Sequence, residues 1–214
     1  MHTFADPLKR ALQIAPERTA VICGDDAYTY RALHERCQRL AGALTALGVA
    51  RGERVAILAG NCNAYIETYV GVPASGRVVV PLNTRHAEPE LEYALTDSGA
   101  RVLITDRDPG RLGGVVDHVI SIPGSYESAL AGAEPEALGH GVTEDDLAGL
   151  FYTGGTTGKS KGVMLSHRNL IANTFHWLAT VPQHADDRFL IIAPLFHAAG
   201  SNGVLGSIWT AGCQ

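Results

Sequence analysis

Two spatial rhythms of apolar residues run along the chain. Short apolar runs recur at 19–23 (TAVIC), 55–59 (VAILA), 77–82 (RVVVPL) and 101–105 (RVLIT); their length and β-branched content predict strands. Between them the period lengthens. Leu33, Cys37, Leu40, Ala41, Leu44 and Leu47 trace one face of a helix that Gly48 stops. The run at 19–23 and a second at 27–30 (AYTY) flank Gly24-Asp25-Asp26, which predicts a hairpin. Asn61 is the expected N-cap of a helix reaching Gly76, with Pro73 shortening or kinking it. Glu88-Pro89 opens another helix through Asp97, and Gly99 lies just past its end.

From 106 to 144 the rhythm fades into a stretch richer in Gly, Pro and Asp, with a faint strand at 115–120 and a faint helix at 126–131. It returns at 147–152, an apolar run, and again at 163–165. Ser166 is placed to cap a helix over 167–179, and FLIIAPLFH (189–197) reads as an apolar strand ending in His197. Strands alternating with helices, without an internal repeat, predict an α/β fold with a mostly parallel sheet flanked by helices.

Composition narrows the class. The 214 residues are 46% hydrophobic and 18% charged, with a net charge of -5, enough to bury a core in one or two domains. A disordered tail and a disulfide-stapled miniprotein are excluded. The mildly acidic balance offers no footprint for nucleic acid. No apolar run approaches the roughly 20 residues that span a bilayer, and MHTFADPLKR lacks the order of a secretory signal, so a cytoplasmic chain without an integral membrane segment is expected. Cys23, Cys37, Cys62 and Cys213 lie far apart without a C-x-x-C pair, and His34 with Cys37 sits along a helical face; reduced thiols fit better than a disulfide framework or a metal site.

The cations are unevenly chosen: of 17, only Lys9, Lys159 and Lys161 are lysines, and two of these share one three-residue stretch. That stretch belongs to Thr153-Gly154-Gly155-Thr156-Thr157-Gly158-Lys159-Ser160-Lys161-Gly162. Glycines let backbone N–H groups approach an anion closely, threonine hydroxyls add donors, and a lysine ammonium neutralises charge. A long hairpin turn would need fewer of each, so the composition points to a polyphosphate cradle. It is not the nucleotide-triphosphatase loop: the required first Gly falls on Thr153, and a strand-like VML intervenes before the helix.

Residues 152–163, YTGGTTGKSKGV, resemble the phosphate loop of the adenylate-forming superfamily, whose pattern is Y-T-S-G-T-T-G-x-P-K-G-V. Thr153, Gly155, Thr156, Thr157, Gly158, Lys161 and Gly162 match; Gly154 replaces the usual Ser, removing a hydroxyl donor, and Ser160 replaces Pro, loosening the loop. Thr29-Tyr30, VVVPLN (78–83), Glu90-Leu91, Thr105-Asp106 and PLFHAAG (194–200) resemble acyl-CoA ligase landmarks in the right order.

The resemblance implies an acyl-CoA synthetase, an acid–thiol ligase. A small carboxylic acid, fatty or related, attacks the α-phosphate of MgATP to give acyl-AMP and pyrophosphate, and the thiol of coenzyme A then displaces AMP. It implies that Thr153, Gly154, Gly155, Thr156, Thr157, Gly158 and Lys161 hold the β- and γ-phosphates. It also places Phe196, His197, Gly200, Ser201 and Asn202 at the junction of acyl pocket and pantetheine tunnel, with His197 as gate; the residues alone read His197 as a capped or buried ring. The family's magnesium-binding Glu, ribose-binding Asp, hinge and adenylation Lys fall later than Gln214. Residues 1–214 are therefore expected to be a truncated N-terminal AMP-binding domain, inactive alone and with no catalytic residue of its own. Its open sheet edge would favour homo-oligomers. Two alternatives stay open: an adenylation domain loading a carrier-protein thiol, and a non-catalytic binding or dimerising fragment.

Overall fold

The computed structural model describes residues 2–153 and 159–214. It opens with a helix absent from the expectations, α1 (Ala5–Ile14), whose Ala5, Leu8 and Ala11 repeat at helical spacing and are buried. The expected hairpin follows: β1 (Thr19–Cys23) and β2 (Asp26–Thr29) pair antiparallel around Gly24, which adopts φ 60°. Thr29 then caps α2 (Tyr30–Ala46), its hydroxyl accepting from Ala32 N at 3.2 Å.

The next units alternate as predicted: β3 (Arg54–Leu58), α3 (Asn63–Ala74), β4 (Val78–Pro81), α4 (Glu88–Ser98) and β5 (Ala100–Thr105). Glu90 accepts from Ala87 N at 2.9 Å to brace the start of α4, and Gly99 ends it at φ 61°. The fainter region resolves into a short 3-10 turn (Gly110–Gly114), β6 (His118–Ser121) and α5 (Gly124–Gly132). After β7 (Leu147–Thr153) and β8 (Lys161–Ser166) come α6 (His167–Thr180) and α7 (Ala198–Thr210). Ser166 caps α6 as expected, exchanging bonds with Asn169.

Six strands form one sheet in the order β6-β5-β3-β4-β7-β8, parallel except for the antiparallel β7–β8 pair. Alternation along β3 divides the core into two faces. Val55 and Ile57 join Val79, Val102 and Ile104 beneath α1, α2 and α3, while Ala56 and Leu58 join Val80 and Leu103 beneath α4. α3 is buried along its whole length except at Asn63, so its residues read as a continuous apolar run rather than a stripe. Among the described residues no helix is long and apolar enough to cross a membrane.

Two expectations fail. Asn61 is not the cap of α3; Cys62 occupies that position, without a side-chain bond, because Asn61 is committed elsewhere. Residues 189–197 do not form a strand. Only Arg188 bridges, to Cys213, and no described strand lies alongside the rest, so Leu190 and Ile192 are about four-fifths exposed, at 79% and 82%.

His167, fully buried at the start of α6, locks α1 to the sheet: its Nδ1 accepts from Phe4 N at 3.2 Å, and the Phe4 ring meets it edge-on at 5.3 Å. Burial pushes its pKa down to about 4, against smaller opposing pulls from Asp146 and Asp6. Above about pH 6.5 the ring is neutral in both folded and unfolded chains. Below that the unfolded chain takes up a proton that the native ring refuses until about pH 4, so stability falls as the medium is acidified. We expect a loss of about 3 kcal/mol from this residue across that window. Urea midpoints between pH 7.5 and 4 should fall less steeply in His167→Gln, which keeps an acceptor but does not titrate.

Candidate functional site

The Gly/Thr segment is held by strand pairing. β7 delivers Tyr152 and Thr153, β8 begins at Lys161, and Thr153 lies opposite Lys161 in the antiparallel register. Gly154, Gly155, Thr156, Thr157 and Gly158 lie outside the described residues. Across the gap Ser160 Oγ donates to Thr153 O at 2.6 Å, so the residue standing for the family's Pro forms a bond that a proline could not. Lys161 is exposed and pairs with no described carboxylate; Lys159 also lacks an ion pair among them, but its Nζ sits 4.9 Å from the centre of the Tyr93 ring.

Beneath the strand end lies α4. Tyr152 OH donates to Asp97 Oδ2 at 2.7 Å, and Tyr93 OH donates to Asp97 Oδ1 at 3.3 Å. Burial and then the neighbouring Asp97 carboxylate push the Tyr152 phenol well above its ordinary pKa, so it stays a donor.

The second group of candidates lies at 191–202. Asn61, just beyond the carboxyl end of β3, binds this segment three times: Nδ2 donates to Ile191 O at 3.2 Å and Ala193 O at 2.9 Å, and Oδ1 accepts from Leu195 N at 3.0 Å. Phe196 is buried and His197 exposed, their rings 4.7 Å apart at 46°. His197 is the N-cap residue of α7, and its carbonyl accepts from Gly200 N at 2.9 Å. A Cβ on Gly200 would stand 3.1 Å from Leu195 Cα and Pro194 O, so a larger residue would push this turn from the segment by a few tenths of an ångström. Asn202 points elsewhere, accepting through Oδ1 from Asn173 Nδ2 at 2.8 Å. Ser201 lies in the first turn of α7, its side chain outside the described set.

The structure thus joins Phe196, His197 and Gly200 in one turn and turns Asn202 toward α6. Sequence reading missed Asn61, Tyr93 and Asp97. Tyr93 and Asp97 stand four apart on one helical face, and that spacing is the signal that could have drawn attention to them. A cavity of about 540 Å³ opens near the other sheet edge, beside His118, Ser125 and Ala129, and holds none of the candidates. Among the described residues no three His, Cys, Asp or Glu side chains come together to hold a metal ion.

The model of the AMP-binding enzyme family matches residues 8–214. A feruloyl-CoA synthase from Amycolatopsis sp is 43% identical over 195 residues, which are 90% of this chain and 39% of that protein. The long-chain-fatty-acid–CoA ligase FadD13 of Mycobacterium tuberculosis is 32% identical over 94% of this chain and 42% of its own length. The chain therefore spans less than half of these curated relatives. Among solved structures, the N-terminal domain of FACL13 from Mycobacterium tuberculosis matches with a TM-score of 0.90 and 28% identity, covering 100% of this chain and 56% of that one. ATP-bound MatB from Rhodopseudomonas palustris matches at 0.89 and 28%, covering 99% and 44%.

The Asn61 bonds generate a graded expectation. Asn61→Ala should cost about 1 kcal/mol in urea unfolding, since two of the three bonds are exposed, and should speed hydrogen exchange at Leu195 most. Asn61→Asp keeps the acceptor for Leu195 N but sets a carboxylate oxygen against the Ile191 and Ala193 carbonyls, so it should cost at least as much as Asn61→Ala.

Proposed function

The chain belongs to the AMP-binding enzyme family, and from that premise we propose that it is the N-terminal portion of an ATP-dependent acid–thiol ligase. In this reading a carboxylate oxygen attacks the α-phosphorus of ATP, the α–β bridging bond breaks, and pyrophosphate leaves with its electron pair. The thiol sulfur of coenzyme A then attacks the acyl carbon, AMP departs, and the thiol proton goes to solvent or base.

The observation that carries the proposal is the β7–β8 hairpin, which closes the Gly/Thr segment between Thr153 and Lys161 and sets an exposed ammonium at its exit. Thr153, Gly154, Gly155, Thr156, Thr157, Gly158 and Lys161 are the residues assigned to the β- and γ-phosphates. Their work is to hold charge that grows on the leaving pyrophosphate, a stabilisation by positioned donors that needs no covalent step. Magnesium would accompany the triphosphate on this reading, and no step is assigned through it. Phe196, His197, Gly200, Ser201 and Asn202 are assigned to the acid and pantetheine side. That the turn bearing Phe196, His197 and Gly200 is fastened to Asn61 supports a rigid wall there.

The greater identity to the feruloyl-CoA synthase than to FadD13, 43% against 32%, puts aryl-propenoic acids first among substrates and long-chain fatty acids second. A carrier-protein thiol as acceptor is a second reading, favoured by 35% identity to the fatty acid–acyl-carrier-protein ligase ScoC of Streptomyces coeruleorubidus.

Carboxylate-dependent ATP–pyrophosphate exchange tests the reading. The product of the complete open reading frame should exchange with one acid class, whereas the 214-residue chain alone should not. Within the longer product, Lys161→Met should lower kcat/KM for exchange by about 100-fold. Exchange by neither protein, with each folded, would overturn the assignment.

A further inference from the structure

Two lysines flank Ser160 at the exit of the Gly/Thr segment, and the structure gives them different surroundings. Lys161 begins β8 and is exposed. Lys159 lies on the face of Tyr93, 4.9 Å from the ring centre, and Tyr93 belongs to α4 on the far side of the strand end. The Tyr152 ring stands nearly perpendicular to the same ring, at 6.5 Å and 87°. Both phenols donate to one carboxylate, Asp97, at 2.7 Å from Tyr152 and 3.3 Å from Tyr93. One turn of α4 therefore grips the residue before Thr153 and the residue two before Lys161. The Ser160 bond to Thr153 O ties the ends to each other.

Lys159 is not packed into place. A cavity of about 460 Å³, lined by Pro89, Glu90, Tyr93, Lys159 and Ser160, opens beside it, so the ring face rather than steric confinement sets where the ammonium rests. No described carboxylate competes for it, and Glu90, the nearest acid lining that cavity, is engaged by Ala87 N.

We propose that Tyr93 and Asp97 of α4 form a positioning latch for the two flanks of the Gly/Thr segment, Tyr152 and Lys159, in which Lys159 is the anchor cation and, of the two lysines, Lys161 is the one left to meet the phosphates. This rests on the phosphate assignment above. Tyr93, Asp97 and Lys159 are positioning residues and touch no reacting atom.

The test compares hydrogen exchange at residues 159–161 with affinity for magnesium pyrophosphate and MgATP, all on the product of the complete open reading frame. Lys159→Met, an exposed substitution that does not threaten folding, should speed exchange at 159–161 about threefold and weaken pyrophosphate binding by a similar factor. Tyr93→Leu should do the same, whereas Tyr93→Phe, which keeps the ring and loses only the longer hydroxyl bond, should stay within about twofold of the unsubstituted chain. Asp97→Ala should release both tyrosines and raise exchange at Thr153 as well, by about tenfold. Lys161→Met should abolish pyrophosphate binding with exchange unchanged.

Unchanged exchange in Lys159→Met and Tyr93→Leu, or equal loss of affinity in Tyr93→Phe and Tyr93→Leu, would overturn the latch. So would faster exchange with full pyrophosphate affinity. Failure of the unsubstituted chain to bind either phosphate probe would instead overturn the phosphate assignment beneath it.

Discussion

Glu67 is a carboxylate with 1% exposure in the middle of α3, and the helices on that face of the sheet are arranged around it. A buried charge without partners costs several kcal/mol, so the fold must bring it a cation and donors. Arg36 of α2 supplies Nε at 2.7 Å, Tyr126 of α5 donates its hydroxyl at 2.8 Å, and Asn63 of α3 donates at 3.2 Å. Arg36 reaches on to Glu127 with both terminal nitrogens and lies 4.9 Å over the Tyr28 ring. One carboxylate thus fixes the relative placement of α2, α3 and α5. Apolar packing alone would tolerate sliding; a hydrogen-bonded charge does not.

The helices so placed flank the parallel strands whose carboxyl ends carry the candidate residues. Ligands of open α/β sheets bind outside those ends, because successive loops there diverge and leave a crevice. Here the end of β3 leads to Asn61, the end of β5 to Asp106, which accepts from Gly60 N at 2.7 Å, and the end of β7 to the Gly/Thr segment. The candidate residues therefore share one edge of one sheet although they are far apart in sequence. α7 is joined to the same framework through Tyr30, whose hydroxyl donates to Ser207 O and Gly212 O at 3.1 and 2.5 Å.

Most of the α/β alternation is legible in the chain because each unit carries its own local signal. Val55 to Ile57 is apolar on both faces, Thr29 and Ser166 stand where caps are needed, and Gly99 takes the left-handed conformation that ends α4. The failures have a common cause. Asn61 satisfies every local rule for a cap, but its amide finds three backbone partners in a segment 130 residues away, and such non-local competition leaves no trace in sequence spacing. Residues 189–197 are apolar enough for a strand, yet a strand exists only where a neighbour pairs with it. The Gly/Thr segment and the helix at 88–97 were each visible from composition and motif; the contact between them was not, because Tyr93 and Asp97 look like ordinary surface residues until β7 is placed over them.

The division between the two faces of the sheet also accounts for the kind of support each receives. On the Glu67 face, the carboxylate is buried and held by Arg36, Tyr126 and Asn63. On the α4 face, contacts near the strand end are half-exposed: Tyr93, Tyr152, Asp97 and Lys159 interact through a ring face and two phenol bonds. Such contacts are individually weak, so they set a preferred placement without freezing it. Under the proposed function, a segment that accepts a triphosphate and later releases pyrophosphate would be served by that combination. The sheet beneath fixes where Thr153 and Lys161 stand, while on the proposed reading the weaker contacts to α4 would yield as charge arrives and leaves.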